Sequence, residues 1–188
     1  MAARFALIAL GLAACAGDRR APGTAADTAA GTPEAPAMTL DGSGAGCVRV
    51  GMTLPELAPG CLVISRDTVP GPEGMAEDRA AVRAGGDPLH AVLVRDTVWR
   101  IEVTRPGLAT DDGIGVGSSA GELLARPASA IIGGEGNLFV TLGARCGMSF
   151  ELGGLPPEVK ALPPDAARGR IPEGTTISRI LIFGCPVE

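Results

Sequence analysis

Twenty-two of the thirty residues from Ala16 to Ala45 are Ala, Gly, Pro, Thr or Ser, and only Met38 and Leu40 add larger apolar side chains. A segment with so little surface to bury cannot offset the entropy of ordering itself. Residues 16–45 are therefore expected to be a flexible tether, with the folded part confined to residues 46–188. At about 5–6 Å × √n, a thirty-residue tether reaches about 30 Å.

What precedes the tether reads as an export signal. Arg4 supplies a positive charge, Phe5 to Leu12 is apolar apart from Gly11, and the small residues Ala13 and Ala14 lead to Cys15. A charged start, a short apolar run and small residues before a cut are the layout of a secretory signal, and the run is too short to span a bilayer. Residues 1–14 are expected to be removed. Leu12-Ala13-Ala14-Cys15 also resembles the lipobox of bacterial lipoproteins. That resemblance implies a diacylglycerol on the Cys15 thiol, a membrane anchor through several acyl chains and, with Ala16 following, an outer-membrane address facing the periplasm or cell surface. An ordinary signal peptide that happens to contain Cys is the alternative.

The remaining cysteines, Cys47, Cys61, Cys146 and Cys185, form an even set in an exported domain, where disulfides persist. Three connectivities are open; Cys47–Cys61 with Cys146–Cys185 is the preferred one. With no C-x-x-C and one histidine in 188 residues, a zinc site is not expected. Sixteen basic against twenty-one acidic residues, without a basic run, exclude the footprint of nucleic-acid binding.

Val50-Gly51-Met52-Thr53-Leu54-Pro55-Glu56-Leu57 and Val116-Gly117-Ser118-Ser119-Ala120-Gly121-Glu122-Leu123 share V-G-x-[S/T]-x-x-E-L. Thr53 with Glu56 and Ser119 with Glu122 match the capping box of a helix start. Strands are expected at 61–65, 89–94 and 98–104 after the first copy, the latter two joined by a hairpin at Arg95-Asp96-Thr97. After the second copy they are expected at 128–132, 138–142, 147–152 and 178–183. Residues 76–84 suit a short helix, and 153–174 reads as a long Pro- and Gly-rich surface connection. The predicted fold is α+β: an antiparallel sheet with two short helices, in tandem helix-plus-three-strands units over 46–106 and 107–188. Trp99 to Val103, Thr110 to Ser119 and Glu122-Leu123 resemble a segment recurring in secreted bacterial proteins and lipoproteins, and the helix-plus-strands outline is similar to β-lactamase-inhibitor-like and BamE-like envelope modules. The resemblance implies action through partner-facing surfaces and carries no catalytic residue over.

Three motifs suggest chemistry that their surroundings do not complete. Gly117-Ser118-Ser119-Ala120-Gly121 matches the G-x-S-x-G elbow of hydrolases, but the sole histidine, His90, precedes Ser119 and sits in a strand pattern. Gly115 to Ala120 matches a loosened dinucleotide fingerprint without the βαβ context that gives it meaning. Asp111-Asp112-Gly113 supplies two carboxylates where a hard cation needs six to eight oxygens, and suits a turn. The expectation is a lipid-anchored envelope protein that binds or supports another macromolecule, without catalysis, cofactor or metal. A serine hydrolase using Ser119 and an inhibitor of a secreted enzyme are the alternatives.

Overall fold

The computed structural model describes residues 39–57, 61–71, 74–84, 86 and 88–186. The signal segment, Cys15 and the tether up to residue 38 lie outside the described residues. Residues 39–45, expected to belong to the tether, are part of the fold: Leu40 is 1% exposed, and its N–H donates to the Ala109 carbonyl at 2.9 Å.

Three two-residue strands, β1 (Leu40–Asp41), β2 (Gly44–Ala45) and β3 (Val48–Arg49), form a small antiparallel sheet. The main sheet comprises β4 (Leu62–Pro70), β5 (Ala76–Arg83), β6 (Pro88–Val94), β7 (Thr97–Val103), β8 (Ser129–Gly134), β9 (Asn137–Leu142), β10 (Met148–Leu152) and β11 (Ile177–Ile182). All pairings are antiparallel, in the order β4-β5-β6-β7-β11-β10-β9-β8. Three short helices, α1 (Ala120–Leu124), α2 (Pro157–Lys160) and α3 (Pro164–Ala167), complete the fold.

This corrects the α+β expectation. The protein is predominantly β, the longest of these helices has five residues, and the tandem helix-plus-three-strands units do not form. The first expected helix is a three-residue 3₁₀ turn, Leu54–Glu56, because the sequence runs into Pro59-Gly60 before an apolar face can develop. Residues 76–84 give β5 rather than a helix. Ala, Glu and Arg favour helices intrinsically, yet here alternation decides: Ala80 and Val82 are fully buried on one side while β5 pairs with both β4 and β6.

What the two motif copies do share is local. Gly51 N–H donates to the Val98 carbonyl at 2.7 Å and receives in return, one residue on, a bond from Val98 N–H to the Met52 carbonyl at 2.8 Å. Gly117 N–H donates likewise to Ile177 at 2.8 Å, and Ile177 N–H to Ser118 at 2.9 Å. Each copy thus pairs with the start of a central strand, β7 or β11. Gly51 and Gly117 lie at φ +89° and +93°, a region that side-chain-bearing residues avoid.

One side of the main sheet carries the core. Ile101, Phe150, Ile180 and Ile182 meet Leu123 of α1, Val159 of α2, Ala167 of α3 and Val48 of the small sheet in one buried cluster. The segment 153–174, expected to be a surface connection, covers this face instead. Pro157 and Pro164 open its two helices at a position where the missing N–H costs nothing, and Leu155 is buried. Arg168 secures the segment by donating to the Leu124 carbonyl at 3.1 Å and to Ser129 Oγ at 3.1 Å.

Candidate functional site

The opposite side of the sheet is covered by none of the helices and carries the concentration of charge. Residues paired across strands project to the same side. The register aligns Arg79 of β5, Val92 of β6 and Arg100 of β7 in one row, and His90 with Glu102 in the next. Glu151 of β10 pairs with Arg179 of β11.

These side chains join into one network. Arg100 Nη2 lies 2.8 Å from Glu102 Oε1 and 3.1 Å from Glu77 Oε1, and its Nη1 donates to Glu135 Oε1 at 3.0 Å. Arg79 reaches Glu77 at 2.9 Å and Glu102 at 3.4 Å. Arg179 Nε donates to Glu151 at 2.5 Å and its Nη2 to Glu135 Oε2 at 3.0 Å. Arg100 and Glu102 are only 3% and 2% exposed, so the pairs act in a medium far less screening than water. Burial lowers the proton affinity of the Arg179 guanidinium, but the bond to Glu151 and the nearby Glu102 and Glu135 carboxylates outweigh it and raise its pKa. Three buried atoms, Arg79 Nε, Arg100 Nε and Glu102 Oε1, have no hydrogen-bond partner; the 2.8 Å approach of Arg100 to Glu102 is an ion pair without hydrogen-bond alignment. The long side chains cover apolar strand residues, Val92, Phe139 and Leu181 being buried beneath them.

Beside the network lies an apolar slot of about 150 Å³, lined by Ile132, Gly134, Glu135, Phe139, Ser149, Leu181 and Phe183. A shift of register after Val92 leaves Trp99 without a cross-strand partner, 44% exposed. Its ring meets Phe183 edge-on at 5.9 Å, with the Arg100 guanidinium 5.6 Å from its centroid. Exposed aromatics beside arginine are the composition of binding hot spots.

Of the residues singled out from sequence, only His90 lies on the ionic side of the sheet. Cys47 pairs with Cys61 (Cα–Cα 6.4 Å) and Cys146 with Cys185 (5.2 Å). The two capping motifs divide their function. Glu56 Oε2 accepts from the Thr53 N–H at 2.6 Å and from its hydroxyl at 2.8 Å, which hold the Glu56 carboxyl below its ordinary pKa. At the other copy Ser119 Oγ accepts the Glu122 N–H at 3.5 Å, and this is its one hydrogen bond among the described residues. His90 faces the ionic side of the sheet, between Ala81 and Glu102. Asp112 accepts from Thr110 Oγ1 at 2.6 Å and pairs with Arg126 and with Arg145, which also holds Asp111. These carboxylates are thus occupied by arginines, and no cluster suited to a metal occurs among the described residues.

The network escaped sequence reading although its trace is there. Glu77 and Arg79, and Arg100 and Glu102, stand two apart within strands, the spacing that puts both on one side. Nothing local says that β5, β7 and β11 lie close enough for their charges to meet.

No family model and no curated protein sequence matches the chain. Among solved structures, the uncharacterized protein yfeY from Escherichia coli is similar, with a TM-score of 0.51 and 15% identity over 77% of this chain and 99% of that one. At that identity the likeness is one of fold. The eight-stranded sheet does not have the helix-plus-strands outline on which the similarity to β-lactamase-inhibitor-like and BamE-like modules rested.

Proposed function

We propose that this is a lipid-anchored bacterial envelope protein that works without catalysis, by docking another protein on the ionic face of its main sheet. The observation that carries the reading is the exposed group Trp99, Phe183 and Ile132, set beside a buried arginine–glutamate network on a side that none of the described helices covers. Aromatic anchors next to desolvated arginines supply most of the energy in protein interfaces. The anchor rests on the lipobox-like Leu12-Ala13-Ala14-Cys15, and the tether would hold the domain clear of the lipid surface.

The test is in-cell photocrosslinking of the full chain, with a photoreactive residue at position 99 and, as control, at the exposed Glu158 in α2. A discrete adduct from position 99 that is absent from position 158 supports docking on this face; equal adducts, or none, refute it. Replacement of Cys15 by Ala is expected to release the protein from membranes, and continued retention would defeat the anchor.

A further inference from the structure

Glu135 occupies an unusual place in the network. It sits in the β8–β9 turn at φ +50°, a conformation that costs a non-glycine residue energy. It stands between Gly133-Gly134 and Gly136, and reaches over the sheet to strands that are not its neighbours. One carboxylate oxygen accepts from Arg100 and the other from Arg179, each at 3.0 Å. The same residue forms part of the wall of the apolar slot.

From this geometry we infer that Arg100 and Arg179 form a carboxylate-binding site that Glu135 fills in the free protein. The ligand that displaces it is the C-terminus of a partner polypeptide ending in an apolar residue. The inference deepens the docking reading above and rests on it. Two guanidiniums aimed at one carboxylate already define the charge and shape of what binds there. Exchanging one carboxylate for another leaves the buried charge balance unchanged, so the incoming group avoids the cost of burying an unpaired ion. The slot sets the side chain: Ile132, Phe139, Leu181 and Phe183 give it an apolar lining that suits one Phe or Leu side chain.

The sole tryptophan, at position 99 and in contact with Phe183 of the slot, reports occupancy by its fluorescence. The probe is a Gly-Ser hexapeptide ending in Phe with a free carboxylate, titrated against the same peptide as its amide, a version ending in Ser, and decanoate. The acid is expected to bind, with the amide and the Ser peptide weaker by about tenfold or more, as expected for losing a charge-assisted hydrogen bond or the apolar anchor. Glu135→Gln, which removes the competing carboxylate, is expected to tighten the acid by about tenfold. Equal binding of acid and amide, tighter binding of decanoate than of the peptide, or no change on Glu135→Gln each overturns the inference. The acid-against-amide comparison uses the unaltered protein and so decides even if a variant misfolds. Crosslinking from position 99 together with indifferent peptides would leave the docking face standing and remove only its carboxylate specificity.

Discussion

Replacing Arg100 by Met should be among the most damaging single substitutions in the main sheet, and its cost should not add in full to that of replacing Glu102. Arg100 is 3% exposed, and its guanidinium faces Glu102 at 2.8 Å, Glu135 at 3.0 Å and Glu77 at 3.1 Å. Glu77 and Glu135 are partly exposed and can turn to water, but Glu102 is not and would keep only Arg79 at 3.4 Å and Arg179 at 3.9 Å. Breaking a buried pair on one side costs about 3–5 kcal/mol, a large part of the 5–15 kcal/mol that typically separates folded from unfolded domains. Replacing both partners by apolar groups of similar size removes the stranded charge. Arg100→Met with Glu102→Leu should therefore be less destabilised than the two single changes added together, with a coupling of about 1–3 kcal/mol. The measurement is urea denaturation followed by far-ultraviolet circular dichroism, disulfides intact, with the denaturant slope checked for constancy across the four proteins. Additivity within about 0.5 kcal/mol would show that Glu102 is not stranded and that the network is a set of independent pairs.

Other perturbations test other parts of the fold. Asp112 has its carboxyl held below the ordinary value by the Thr110 hydroxyl and, less strongly, by Arg145. Its stabilisation is thus complete above the unfolded pKa of about 4 and lost as pH falls through the lower folded value; Asp112→Asn should flatten the acid limb of a stability–pH curve measured below about pH 4. Gly117→Ala, at φ +93°, should destabilise by about 1–2 kcal/mol, whereas Gly121→Ala, inside α1 with its nearest contact 3.4 Å away, should stabilise by about 0.5–1 kcal/mol; thermal melts that give the two changes the same sign would contradict this assignment. Opening Cys146–Cys185, which spans 39 residues, should cost about 4 kcal/mol and opening Cys47–Cys61, which spans 14, about 3 kcal/mol, read from denaturation of the double-serine variants. Ser119→Ala should cost about 1 kcal/mol as a lost cap, and a fluorophosphonate probe should label neither protein; labelling that disappears with Ser119 would restore the hydrolase alternative.

Much of the β-structure was legible in the chain. Seven of the eight strands of the main sheet were expected within a few residues, apart from β4, which runs on to Pro70. Their Val, Ile, Leu and Phe runs are bounded by turn residues, and the hairpin at Arg95-Asp96 is as expected, with both residues at positive φ. The eighth, β5, was hidden because Ala-Glu-Asp-Arg-Ala-Ala-Val-Arg has helical composition, and pairing on both sides overrides propensity. The capping residues pointed to real chain reversals but not to helix length, since a cap satisfies an end and says nothing of how far the helix runs.

By itself the sequence determined what rests on near neighbours: the strand runs, the glycines of the two Val-Gly motifs, the prolines that open α2 and α3, and the small-residue segment ahead of the domain. The tertiary structure alone decided that β7 and β11 would lie side by side at the centre of one sheet. That placement brought Arg100, Glu102 and Arg179 together and let Glu135 reach them from a distant turn. The reason is physical: backbone dihedrals and local hydrogen bonds depend on a few consecutive residues, whereas a buried ionic network depends on which strands pair. That choice is made by the apolar side of the sheet, which carries no record of the charges on the other.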